Sequence, residues 1–175
     1  MIVTQPRRLA AVAVARRVCE ERSWEVGSVV GYQVGLEKRV SPNTLVTFMT
    51  VGVLLQRLTK TRNLRGYTHV IIDEVHERDL HTDLLLLFIK KILMEDYHGK
   101  HRHVKLILMS ATLNAGQFSD YFAFQKNKEI VSKTPIIKIP SAERRFHVEE
   151  IFLDQLGLEA VRMTWNIQAV AFDVI

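Results

Sequence analysis

The stretch His69–Asp79, HVIIDEVHERD, turns from apolar to charged within one residue. Val70, Ile71 and Ile72 read as a buried strand; Asp73 and Glu74 follow at once, with His76 close behind. Neighbouring side chains on a strand face opposite sides, but where the backbone turns at a strand end both acids can reach one site. One carboxylate can then hold a hydrated Mg2+ while the other polarises an attacking water. That division of labour suits hydrolysis of a nucleotide γ-phosphate, where catalysis is mostly positioning and charge neutralisation. Two solvent-facing acids after a strand are the plainer alternative, and the pair alone leaves both open.

A zinc site is the rival chemistry, because HERDLH (His76–His81) nearly spells H-E-x-x-H. That motif needs its two histidines on one helical face, four residues apart. Here Leu80 takes the required position and His81 comes one residue late, a turn of about 100° around a helix. The zinc reading fails. His98, His101 and His103 lie in a polar connection, DYHGKHRHVK, without Cys or acidic partners at ligand spacing, and read as a solvated basic loop.

The elements that would position the acids alternate between strand and helix. Ile2–Thr4 is a short β-like run, cut by Pro6, and from Leu9 onward Val12, Ala15 and Cys19 recur at helical spacing. Ser28–Gly35 and Thr44–Thr50 are strand-like, separated by the turn signal SPN; Val51–Leu58 reads as a short helix with Leu54, Leu55 and Leu58 inward. After the strand at THVIIDE, Thr82–Met94 is expected to be a helix capped by Thr82. Val104–Ser110 is another buried strand, Asn114 caps a short helix containing Phe118 and Tyr121, and Thr134–Pro140 closes the series as a further β-like run. Continuous apolar strands with helices between them predict a mostly parallel α/β sheet covered on both faces. Functional residues of such folds collect at the carboxyl ends of strands, where Thr50, Asp73, Glu74 and Ser110 fall.

Composition fits one soluble domain. The 175 residues are 47% hydrophobic and 25% charged, with net charge +5, which suits an anionic partner such as a nucleic acid. The single cysteine excludes an internal disulfide, and Cys19 reads as a packed small hydrophobe. No apolar run reaches the roughly 18 residues of a membrane span, and the broken, arginine-flanked amino terminus does not read as a secretory signal. A cytoplasmic or nuclear location is expected.

Four segments, TQPRR (Thr4–Arg8), TVGVLL (Thr50–Leu55), DEVH (Asp73–His76) and SAT (Ser110–Thr112), occur in this order. Together with GYQVGLE and HERDLHTD they resemble the DEAH-box RNA helicases, over roughly residues 2–158, as part of the first RecA-like domain. Tudor-domain-containing and multi-domain members resemble the chain alike. The resemblance implies an incomplete RecA-like sheet, ATP and Mg2+ as cofactors, and RNA as partner. It implies that Asp73 coordinates Mg2+ through water, with Glu74 beside the metal activating the hydrolytic water. His76 would couple nucleotide state to the domain, and Ser110, Ala111 and Thr112 would link hydrolysis to strand separation. Thr4, Gln5, Pro6, Arg7, Arg8, Thr50 and Gly52 would contact the RNA backbone. Arginine, hydroxyl and helix-start groups suit phosphate oxygens and carry no sequence information. Arginines are mildly disfavoured at a helix start, which favours a functional reading of Arg7 and Arg8.

The family's G-x-x-x-x-G-K-[ST] loop is nowhere in the chain: the only Gly-Lys, Gly99-Lys100, is followed by His101 and preceded by Met94 at the first glycine's position. In the family this loop lies upstream of the segment matching Thr4. The chain is therefore expected to be an internal piece of a helicase, inactive alone, lacking the strand into that loop and the second RecA-like domain with its arginine finger. An exposed neighbour in the sheet should result. Residues 159–175 depart from the family pattern and form an atypical tail. A catalytically dead module that binds RNA or a partner is the alternative. A different Mg2+-dependent nucleotide enzyme is disfavoured by the Arg pair and SAT.

Overall fold

A computed structural model of the chain describes residues 1–97, 104–111, 115–126 and 129–138. Thr112, Asn114, the three histidines of the polar connection, the Gly99-Lys100 pair and everything from residue 139 on, the expected tail included, lie outside the described residues.

Six strands form one sheet in the order β3-β2-β4-β1-β5-β6. They are β1 (Ile2–Gln5), β2 (Val30–Val34), β3 (Glu37–Arg39), β4 (Val46–Thr50), β5 (His69–Ile72) and β6 (Lys105–Leu108). Every pairing is parallel except β2 with β3. The mostly parallel α/β sheet and its helices agree with an incomplete RecA-like fold. Helices α1 (Arg8–Glu21), α2 (Val51–Thr61), α3 (Leu80–Tyr97) and α4 (Ala115–Tyr121) follow strands. A separate two-stranded sheet pairs β7 (Phe124–Lys126) with β8 (Glu129–Ser132).

Strand alternation divides the core between the two faces of the sheet. Ile2, Met49, Val70 and Ile72 join Leu54 and Leu58 of α2 and Leu85, Ile89 and Ile92 of α3. Their neighbours Val3 and Phe48, with Val30, Tyr32 and Val34, join Ala11, Ala15 and Cys19 of α1. Helices thus cover both faces, as the unbroken apolar strands require.

Several local expectations change. The buried face of α1 is Ala11, Ala15 and Cys19, while Leu9 is 85% exposed. This column of small side chains, one per turn, lets the helix lie close to the sheet. Cys19 is buried as expected; its Sγ lies 3.6 Å from the Val30 carbonyl, and burial pushes the thiol pKa up.

Helix α3 begins at Leu80, two residues before the expected start, and its cap is Asp79 rather than Thr82. Asp79 Oδ1 accepts the His81 and Thr82 amides at 2.9 and 3.2 Å, and Oδ2 accepts the Thr82 hydroxyl. Burial would raise this carboxyl's pKa, but the Thr82 hydroxyl and the two amides outweigh it and hold it below the ordinary value. A carboxyl depressed in the folded state adds stability above its unfolded pKa, and that stability fades as acid protonates the folded group. Asp79→Ala should cost about 1 kcal/mol near neutrality, in the usual range for a lost helix cap. The loss should shrink on acidification below the carboxylate range in denaturant titrations; a pH-independent difference would contradict the assignment.

The expected run at residues 134–140 is unpaired over its described part, 134–138, and Ile137 is 90% exposed. Hairpin pairing is instead completed upstream, at β8. At the sheet's edge β6 pairs only with β5 among the described residues, and Ile107 is 41% exposed.

Candidate nucleotide and nucleic-acid site

Parallel pairing brings the carboxyl ends of β1, β2, β4, β5 and β6 to one edge. Gln5 pairs in register with Thr50, Thr4 with Ile72, and Ile72 with Leu108. The residues that leave this edge are the ones whose chemistry stood out in the sequence.

Asp73 follows β5 and its amide donates to the Thr4 carbonyl at 3.3 Å. Its carboxylate is held from two sides: Gln5 Nε2 donates to Oδ2 at 2.7 Å, and the Glu74 amide donates to Oδ1 at 2.8 Å. Glu74 then adopts φ 55°, a left-handed conformation uncommon outside glycine. This turn redirects the chain into a single 3-10 turn, Val75–Glu77, whose first amide donates to the Met109 carbonyl at 3.1 Å. Val75 is fully buried and anchors the turn.

His76 Nδ1 stands 3.4 Å from Glu74 Oε2 and 3.3 Å from Ser110 Oγ. The imidazole therefore joins the second acid to Ser110 in the segment after β6, a bridge between adjacent strand ends. Ser110 and Ala111 are exposed, and Thr112 lies outside the described residues. The expected contact of a SAT hydroxyl with the neighbouring strand's acids is, for Ser110, a contact with His76.

The basic segment leaves β1 beside these acids. Thr4 and Gln5 are buried, Pro6 is half-buried, and Arg7 and Arg8 are exposed. Thr4 Oγ1 is fully buried with no hydrogen-bond partner among the described residues. Arg7 lies 3.6 Å from Glu77 in a solvent-exposed pair worth little by itself. The Arg8 guanidinium carbon comes within 3.9 Å of the position a Cβ would take on Gly35, so the side chain lies against the β2–β3 turn.

Helices α1 and α2 both begin at this edge. Neither has a side-chain cap or an acid in its first turn, so the first amides and the positive end of each helix dipole are uncompensated there. Thr50 occupies the cap position of α2, half-buried, and Gly52 in its first turn is exposed, with open space where a side chain would stand.

The chemistry of these groups fits Mg2+. It is a hard cation commonly held by one or two carboxylates, several waters and substrate phosphates rather than by an all-protein cage. Asp73 offers such a carboxylate, and no group of three His, Cys, Asp or Glu converges elsewhere as a ready-made cage among the described residues. No described helix is long and apolar enough to cross a membrane.

Two contacts were invisible in the sequence pattern. One is the Gln5–Asp73 bond. The other is Arg57, which donates to Gln33 Oε1 at 2.7 Å and to the Tyr67 hydroxyl, tying α2 to β2 and to the loop before β5. Neither has a local signal, because each joins segments far apart in the chain.

No protein-family profile matches the chain. Among curated proteins it is 45% identical over 158 residues to a probable ATP-dependent RNA helicase spindle-E of Drosophila persimilis, covering 89% of this chain and 10% of that protein. It is 43% identical over 157 residues to ATP-dependent RNA helicase TDRD9 of Rattus norvegicus, covering 90% of this chain and 11% of the relative. Spindle-E of Drosophila melanogaster matches at 40% over 167 residues, again 11% of its length. The chain spans about a tenth of the curated relatives it matches.

Proposed function

We propose that this chain supplies the metal-facing acid pair and part of the RNA-backbone surface of an ATP-dependent RNA helicase of the DEAH-box type. The observation that carries the reading is the shared strand edge, where the turn bearing Asp73, Glu74 and His76 meets the segment bearing Arg7 and Arg8 through Gln5–Asp73 and Arg7–Glu77. Similarity to RNA helicases over nine-tenths of the chain supports it. Residues 2–158 are read as part of the first RecA-like domain, followed by an atypical tail.

In this reading Asp73 would hold Mg2+ through water, with its own carboxylate fixed by Gln5 and the Glu74 amide. Mg2+, when bound with ATP, supplies charge neutralisation at the terminal phosphates. Glu74 takes the proton of the attacking water, as a carboxylate base at the strand end can. His76, between Glu74 and Ser110, passes a change at the acid pair to the segment after β6. Ala111 and Thr112 share that coupling role with Ser110.

Arg7 and Arg8 take phosphate oxygens, assisted by the uncapped start of α1 and by that of α2 at Thr50 and Gly52. Thr4 and Gln5 support that surface from beneath, and Pro6 stiffens it. Such contacts hold any RNA sequence, which a translocating enzyme needs.

The 175 residues contain no G-x-x-x-x-G-K-[ST] sequence, so gripping the phosphates is a role they do not supply. That observation favours, as a second reading, an RNA-binding module without turnover. Salt titration of RNA binding tests the surface itself. In the longest natural form of the protein, Arg7→Ala and Arg8→Ala should each weaken binding to unrelated RNA sequences alike and lower the salt slope by about one. An unchanged slope in both variants would remove these arginines from the RNA surface.

A further inference from the structure

Gln5 touches both halves of the site. It belongs to the segment whose sequence resembles an RNA contact, yet it is 7% exposed and its amide is spent on Asp73 Oδ2, at 2.7 Å across 68 positions of sequence. With the Glu74 amide on Oδ1, each carboxylate oxygen has one fixed donor and keeps further lone pairs for a water or metal. Pro6 follows directly, and its ring fixes φ, so movement of the backbone at Arg7 and Arg8 is poorly absorbed before it reaches Gln5. The Arg7–Glu77 pair joins the same two segments a second time, at the far end of the acid turn. That turn is bounded by Glu74 and Arg78 with φ of 55° and 50°, conformations that non-glycine residues hold under constraint from their surroundings.

We propose that Gln5 is a positioning residue that couples the RNA-facing Pro6–Arg8 turn to Asp73, rather than an RNA contact. Phosphate arriving on Arg7 competes with Glu77 and releases one tie between the segments. The Gln5 amide, sheltered from solvent, remains as the other and carries the displacement of the turn to the carboxylate. RNA then acts on the rate through the orientation of Asp73. The inference rests on the helicase reading above.

The test uses the longest natural form of the protein with Gln5→Leu, which keeps the volume and removes the amide, and Gln5→Asn, which keeps an amide too short to reach. ATP hydrolysis is measured with and without single-stranded RNA across a Mg2+ titration, and RNA affinity is measured separately without nucleotide. Stimulation by RNA should fall about tenfold and the Mg2+ needed for half-maximal rate should rise comparably, the scale of a lost hydrogen bond to a charged group. RNA affinity should stay within about threefold, because the phosphate contacts remain on Arg7 and Arg8.

Weaker RNA binding with an unchanged Mg2+ requirement would make Gln5 an RNA contact and overturn the inference while leaving the helicase reading intact. An equal loss of rate with and without RNA, alongside a lower melting temperature, would show a merely structural role and also overturn it. Gln5→Asn carries the comparison where Gln5→Leu does not fold. A wild-type protein without RNA-stimulated turnover would remove the helicase reading itself, and this coupling with it.

Discussion

Replacing Glu74 with Gln should cut RNA-stimulated ATP turnover by about 10²–10⁴-fold, the contribution of a positioned general base. The substitution is nearly isosteric and removes only the ability to accept a proton. Glu74 sits where β5 has ended and the chain has turned left-handed, with its side chain 39% exposed toward the edge and His76 at 3.4 Å. A glutamine there preserves the turn and most of the packing, so RNA affinity and melting temperature should change little. The loss should therefore fall on kcat, with the RNA half-saturation point nearly constant. Activity retained within about fivefold, far short of a general base's contribution, would assign the proton to another group.

Ile72→Ala should have the largest effect on stability, about 2–5 kcal/mol, as for other buried isoleucines truncated to alanine. Ile72 is fully buried and packs in the cluster that contains Met49, Leu54, Leu58 and Leu85. It is also the last residue of β5, paired with Thr4 on one side and Leu108 on the other, and it directly precedes Asp73. The cavity therefore opens beneath the acid pair. Ile72→Val, which removes one methylene, should cost only about 0.5–1.5 kcal/mol. Chemical denaturation of both variants gives the comparison. Equal small losses would mean that the cluster collapses around the gap and that Asp73 does not depend on this packing.

Much of the site was legible because its residues are consecutive. An apolar triplet followed by Asp73 and Glu74 marks a strand end from local pattern alone, and parallel pairing then brings the other strand ends to the same edge. The helices were legible in type and less so in boundary. Asp79, immediately before Leu80, is a stronger cap signal than Thr82, since it directly precedes the helix and its Oδ1 accepts both early amides. On α1 the expected Ala15 and Cys19 are buried and Val12 packs against their cluster, but the helix starts with Leu9 exposed and buries the smaller Ala11 in addition.

The rest had no local trace. Strand β3 is Glu-Lys-Arg, charged and exposed, and pairs antiparallel with β2 as a protected sheet edge. No hydrophobic alternation announces it. Gln5 and Asp73 are distant in the chain, and only the β1–β5 pairing makes them neighbours. The strand reading at residues 134–140 contains Ile136 and Ile137, both of which prove exposed.

The most direct test of the account is ATP hydrolysis by the longest natural form of the protein, with Mg2+, as single-stranded RNA is titrated in. Turnover should rise with RNA, saturate, and disappear in Glu74→Gln. RNA binding without any nucleotide turnover in the wild type would contradict it and leave the chain as part of a binding module.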